Sequence, residues 1–340
     1  MYKLILGSLF ASLILAACGG GSGDDGGDGG TPPADDLGFV ELTSTDDVAV
    51  FGASLLSVAQ SPPIPEIPET SESSKAYKTV ESCDTSGMVE TFDTRSESVD
   101  SPFTDSLFNI ESSEYRDCIA SFESADFSFS SSIDGYEESG TPADGTDSGI
   151  DYVGFGTAED LPFTLSTNTT QGSVTESSNL SFFGVIHTQS QDDEHVSSQV
   201  YLRGEIESHG SPAGDYHNRI LLGESMDGAL FVSSVVPAET VGLSETTLDG
   251  LIGSEDLLND SCPSGMVQIS TVSPLIAEDE SGELRGGELQ LDAGDDVAGI
   301  VYNEDQSITV TLNGGSPVTY TLEDLEALDA ECLTASESGT

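Results

Sequence analysis

Positive charge is what this sequence has least of: 8 lysines and arginines stand against 62 aspartates and glutamates, for a formal net charge of −54. A phosphate backbone is bound by a basic face that releases counterions, and no segment supplies one, so nucleic-acid binding is excluded. An anionic membrane surface would repel the body as well. The carboxylates are spread along the chain rather than clustered, which reads as a solvated acidic surface. Such self-repulsion is tolerated at high ionic strength, where the Debye length falls to about 3 Å at 1 M.

Tryptophan is missing altogether. A long apolar run is missing too: the longest, from Leu4 to Leu15, is too short to cross a hydrocarbon core of roughly 30 Å as a helix. There is no Gly-x-Ser-x-Gly elbow, no His-Glu-x-x-His and no Gly-Lys-Ser/Thr phosphate loop, so the catalytic chemistries those motifs serve have no local signature. The spacing Gly21-x-Gly23-x-x-Gly26 lacks the strand before it and the helix after it that dinucleotide binding needs. A carboxylate pair of the glycosidase kind stays open, because such pairs are defined by separation in space.

What is present begins with an address. Lys3 precedes the apolar run, and the run ends in Leu15-Ala16-Ala17-Cys18, the layout of a secretory signal. Leu15-Ala16-Ala17-Cys18 resembles the lipobox of bacterial lipoproteins. The resemblance covers the first 18 residues and implies cleavage before Cys18, diacylglyceryl attachment to its thiol, and membrane association through that N-terminal lipid. Each buried methylene contributes about 0.8 kcal/mol and one chain anchors only marginally, so several chains on Cys18 would make a stable tether. In that family the residue after the cysteine influences sorting. Gly19 is not the aspartate of inner-membrane retention, which implies the outer membrane.

The remaining cysteines, Cys83, Cys118, Cys262 and Cys332, form an even set, and in an exported chain they predict two disulfides. Three pairings exist. Cys83 with Cys118 and Cys262 with Cys332 are preferred because each pair brackets its own run of strands.

The expected organisation is a signal over 1–17, a Gly/Asp-rich tether over 18–37, a helix and connector over 38–76, and an antiparallel β domain over 77–335. Two β lobes, about 77–160 and 161–335, are the alternative. The tether's Gly, Asp, Ser, Pro and Thr cannot bury a core. Val48, Phe51, Leu55 and Val58 recur at helical spacing behind Asp46 and Asp47, predicting one amphipathic helix over Ser44–Gln60. Pro62, Pro63, Pro65 and Pro68 then force an extended connector. Beyond Tyr77, short runs of Val, Ile, Thr, Phe and Tyr alternate with turn residues, predicting a mainly β fold built on a large antiparallel sheet, curved or sandwiched. Asn313-Gly314 and Asp227-Gly228 read as hairpin turns, and a short C-terminal helix is expected over Glu323–Glu331. Cys83-Asp84-Thr85-Ser86-Gly87-Met88-Val89 and Cys262-Pro263-Ser264-Gly265-Met266-Val267 form a weak internal repeat.

Histidine and acidic clusters are the candidate ligand sites. His187 and His195 flank one predicted hairpin loop, while His209 and His217 flank the next. The intervening strand, at 3.3 Å per residue, spans roughly 40 Å and forbids a single four-histidine site. His187 with His195, assisted by Asp192, Asp193 or Glu194, has the donor set of zinc or copper. Asp144, Asp147 and Asp151, with Glu137 and Glu138 nearby, offer oxygens suited to calcium, without EF-hand spacing.

The reading is a lipid-anchored cell-envelope protein with a structural or binding role and no catalytic residue, its protein or ligand partner unspecified by the sequence. Two alternatives differ in what they require. A carrier of lipid or another apolar ligand, similar in outline to periplasmic lipoprotein carriers, needs an empty apolar interior. A hydrolase of extracellular polymers needs convergent carboxylates with separated pKa values.

Overall fold

The computed structural model describes residues 37–60, 79–124, 127–143, 149–156, 162–172, 174–192, 195–210, 216–225, 228–237, 242–257, 263–278, 284–325 and 327–328. Cys18, the tether, the Pro-rich connector, Asp144, Asp147, Cys262 and Cys332 lie outside them.

The chain is mainly β: one large antiparallel sheet of 16 strands, with one helix ahead of it and a short one near the C-terminus. The strands are β1 (Thr79–Ser82), β2 (Ser86–Ser98), β3 (Leu107–Glu123), β4 (Phe127–Pro142), β5 (Ile150–Phe155), β6 (Phe163–Gln171), β7 (Val174–Asp192) and β8 (His195–His209). They continue as β9 (Tyr216–Leu222), β10 (Leu230–Val235), β11 (Leu243–Asp256), β12 (Gly265–Glu278), β13 (Leu284–Ala293), β14 (Asp296–Tyr302), β15 (Ile308–Leu312) and β16 (Val318–Tyr320). Strands adjacent in sequence mostly pair, as hairpins require; the departures are the β4–β6, β5–β7, β8–β10 and β9–β11 pairings.

The long strand β4 explains the first departure. Its residues Glu137 to Gly140 pair with β5, while Phe127 to Asp134 pair with β6. Gly135 sits at the junction with φ 102°, and a Cβ there would stand 2.3 Å from the Pro162 carbonyl oxygen. Only glycine combines that backbone angle with so close an approach.

The chain divides into two compact units, one of 61–187 with 202–218, the other of 35–60, 188–201 and 219–340. The division passes through β7, β8 and β9, where composition offers no linker. In the first unit the core contains Phe108, Ile110, Ile150 and Tyr152, with Val99, Phe103 and Val185 packed against them. The disulfide Cys83–Cys118, Cα–Cα 5.4 Å, ties the start of this unit together.

In the second unit the helix α1 (Thr45–Gln60) packs on β11, β14 and β15. Its start is a reciprocal cap: the Asp47 amide donates to Ser44 Oγ at 3.1 Å, and the Ser44 amide donates to Asp47 Oδ2 at 2.9 Å. This pins the first turn. Val48 and Phe51 are buried, as the spacing predicts, and so is Ala49; the side chains of Leu55 and Val58 lie outside the described set. The Tyr320 hydroxyl on β16 donates to Asp46 and stands 2.7 Å from Thr45 Oγ1, joining the last strand to the helix start. At the C-terminal side the described part of the short helix covers 322–325 and 327–328.

The two halves of the internal repeat share a backbone feature. Gly87 has φ 86° and Gly265 φ 139°, and each presses against the backbone of another segment. A Cβ on Gly87 would reach 1.9 Å from the Asp117 carbonyl oxygen, and one on Gly265 would reach 2.6 Å from Val40 N. At the second position the chain leading to the helix is docked, with Val40 N donating to Met266 O at 3.0 Å and Met266 N donating to Gly38 O at 2.8 Å. Gly265→Ala is therefore expected to lower stability by about 2 kcal/mol through backbone strain. The urea midpoint measures it, and a midpoint equal to the wild type's would show that this docking contributes nothing.

Candidate functional site

Acidic side chains rarely stay buried unless paired. Among the described residues Glu90, Glu137 and Glu138 are each only 7% exposed, all in the first unit, and two of them are met by this chain's scarce cations. Arg116 stands 3.7 Å from Glu90 and 2.6 Å from Glu114. Arg95 Nη2 stands 2.6 Å from Glu138 Oε2, and Arg95 Nε 3.0 Å from Glu97 Oε2. In the second unit Arg219 pairs with Glu255 at 2.6 Å and Arg285 with Glu278 at 2.7 Å.

The densest polar constellation is built on β2, β3, β4 and β5. A bulge in β2 between Phe92 and Arg95 resets the register so that Arg95 faces Ile110. From there Nη1 donates to Ser112 Oγ at 2.8 Å, while Nη2 reaches the Tyr136 hydroxyl at 3.4 Å as well as Glu138. Tyr136 donates to Glu138 Oε2 at 3.0 Å, and Tyr152 donates to Oε1 of the same carboxyl. One cation and two phenols thus converge on Glu138. Burial works against the charge of Arg95, yet its bonds to Glu97, Glu138 and Tyr136 hold its pKa above the ordinary arginine value.

Glu137 belongs to the opposite face, because successive side chains of a strand alternate. It pairs in register with Ser113 and Phe155, while Glu138 pairs with Ser112 and Gly154. Tyr115 donates to Glu137 Oε1 at 2.6 Å, and the Glu137 Oε2 atom is buried without a hydrogen-bond partner. The surroundings are aromatic: Tyr115 lies edge-on to Phe163 at 5.9 Å, and Phe163 lies 5.6 Å from Phe155. Burial raises the Glu137 pKa above the usual carboxyl range despite the bond from Tyr115. The Tyr115 hydroxyl is in turn pushed up, first by burial and then by the Glu137 carboxyl.

The candidate ligand residues are placed as follows. Glu137 and Glu138, expected beside the acidic loop as calcium ligands, instead point to opposite sides of β4 and are engaged by tyrosines; Asp151 is exposed on β5. His187, expected at a loop edge, is fully buried in β7, whereas His195 opens β8 half-buried. The side chain of Asp192 and all of Asp193 and Glu194 lie outside the described residues. His209 Nε2 bonds Glu207 at 2.8 Å, and His217 bonds Glu205. Among the described residues no three His, Cys, Asp or Glu side chains are grouped to hold a metal ion.

Sequence reasoning missed the network on Arg95, Tyr115, Tyr136 and Tyr152. The available signal was Tyr136-Glu137-Glu138 inside a serine-rich strand. Two adjacent acids in a strand must include one on each face, so one turns inward wherever a single face is covered and both do wherever both are. Comparison with known proteins returns no match: no family model fits the sequence, and no curated protein and no solved structure is similar to it.

Proposed function

We propose that the protein is a lipid-anchored component of the bacterial cell envelope, attached through Cys18 to the outer membrane, whose folded body serves a structural or binding role. One observation carries the non-catalytic part of this reading: the buried carboxyls diverge. Glu137 and Glu138 are neighbouring buried carboxyls, but they open onto opposite faces of β4 and cannot act on one substrate between them. Glu137 is held by Tyr115 of β3 and Glu138 by Tyr152 of β5, so each carboxyl ties β4 to a neighbouring strand. Packing beside the network also speaks against an apolar carrier cavity at that place. A Cβ on Gly154 would stand 2.8 Å from the Tyr152 hydroxyl, and one on Gly204 would stand 2.7 Å from Phe182.

The anchor rests on Leu15-Ala16-Ala17-Cys18, on the apolar run before it and on the glycine-rich tail after it. Labelled palmitate fed to cells expressing the full chain is expected to enter the wild type and not Cys18→Ser, with the serine variant leaving the membrane fraction. Equal labelling of the two, or membrane partitioning that ignores the substitution, would overturn the proposal.

A further inference from the structure

His187 is fully buried, and neither ring nitrogen has a hydrogen-bond partner. Its ring stands 5.1 Å from that of Tyr152 and 6.3 Å from that of Phe108. Both rings belong to the apolar cluster with Ile110, Ile150 and Val185. A neutral imidazole already leaves one N–H and one acceptor nitrogen unpaired there, but it brings no charge. An imidazolium would bring a full charge and a second N–H to a place where neither ring nitrogen has an acceptor.

We propose that His187 is an acid-sensitive latch in the first unit: once protonated, its ring must leave the Phe108–Tyr152 cluster, parting the 185–187 stretch of β7 from its neighbours.

The groups facing it bear this out. From β3 come Phe108 and Ile110, which do not titrate. From β5 comes Tyr152, whose hydroxyl is already given to Glu138. Glu138, on β4, is itself engaged by Arg95 of β2. From the 99–106 segment the one charge acting on the ring is that of Asp100, which is exposed. Burial lowers the His187 pKa from 6.5 to about 4, with the Asp100 carboxylate pulling weakly the other way. The unfolded chain would take up this proton near pH 6.5 and the folded chain only near pH 4. The contribution is therefore complete above about pH 6.5, declines as pH falls, and is exhausted below about pH 4.

The experiment compares the full chain with His187→Phe and His187→Leu by urea unfolding at pH 7 and pH 5. Over this interval the unfolding constant of the wild type is expected to rise roughly 20-fold more than that of either variant. Proton NMR of the folded wild type, with the His187 signal assigned by its loss in a variant, gives a reading that does not depend on the variants being stable. The signal is expected to stay in its neutral position down to about pH 5. Identical pH dependence in wild type and variants, or a His187 signal that titrates near 6.5 while the protein stays folded, would overturn the latch.

Discussion

Arg95→Met is expected to destabilise the first unit by about 3 kcal/mol, the lower end of the range for stranding one member of a buried pair. The lower end applies because Arg95 is itself 33% exposed, although its partner Glu138 is only 7% exposed. Tyr136 and Tyr152 would still donate to the carboxylate, but no positive charge would remain to offset its removal from water. The measurement is a double-mutant cycle in urea. Arg95→Met should cost more than Arg95→Met combined with Glu138→Gln, because the second change removes the stranded charge. If the double variant is as unstable as the sum of the two single ones, the pair is not coupled and the network is only a set of local hydrogen bonds.

Removing the Cys83–Cys118 bridge should cost roughly 4 kcal/mol, as loop closure predicts for a bridge spanning 35 residues. Its position adds a local consequence. Gly87 at φ 86° and Asp117 at φ 49° sit beside the two half-cystines, and the backbone at Gly87 is pressed against Asp117. Without the covalent tie this crossing depends on β1 and the beginning of β2, a short strand pair with few buried side chains. Cys83→Ser combined with Cys118→Ser is expected to lower the urea midpoint and to speed amide exchange first at Thr79–Ser82 and Ser86–Val89. Exchange that accelerates uniformly over β2, β3 and β4 would show instead that the bridge stabilises the unit only through the unfolded chain.

Much of the secondary structure was legible. Val48 and Phe51 at helical spacing, with Asp46 and Asp47 in the first turn, marked α1, and the structure buries those two apolar side chains; the Ser44–Asp47 cap that closes its start was not foreseen. Asn313-Gly314 marked the β15–β16 turn, where both residues take positive φ. Pairing of Cys83 with Cys118 was preferred among three possibilities because the two bracket their own run of strands, and the structure joins them. The polar network was not legible. It depends on a bulge in β2 and on β4 serving two partners, and register of that kind leaves no periodic trace. The burial of His187 was hidden for a related reason: a histidine near a predicted loop reads as exposed until the strand is seen to run five residues past it.

By itself the sequence determined the class of molecule: an acidic, strand-rich chain with no basic face, a helix at one end and a lipobox-like opening. Those follow from composition and short-range pattern, which are properties of the residues in order. Only the tertiary structure decided which few carboxyls lie inside, which cations meet them, and that one imidazole is left without an acceptor. Those outcomes depend on which strands become neighbours, and in a sheet a shift of one residue in register exchanges the buried face for the exposed one.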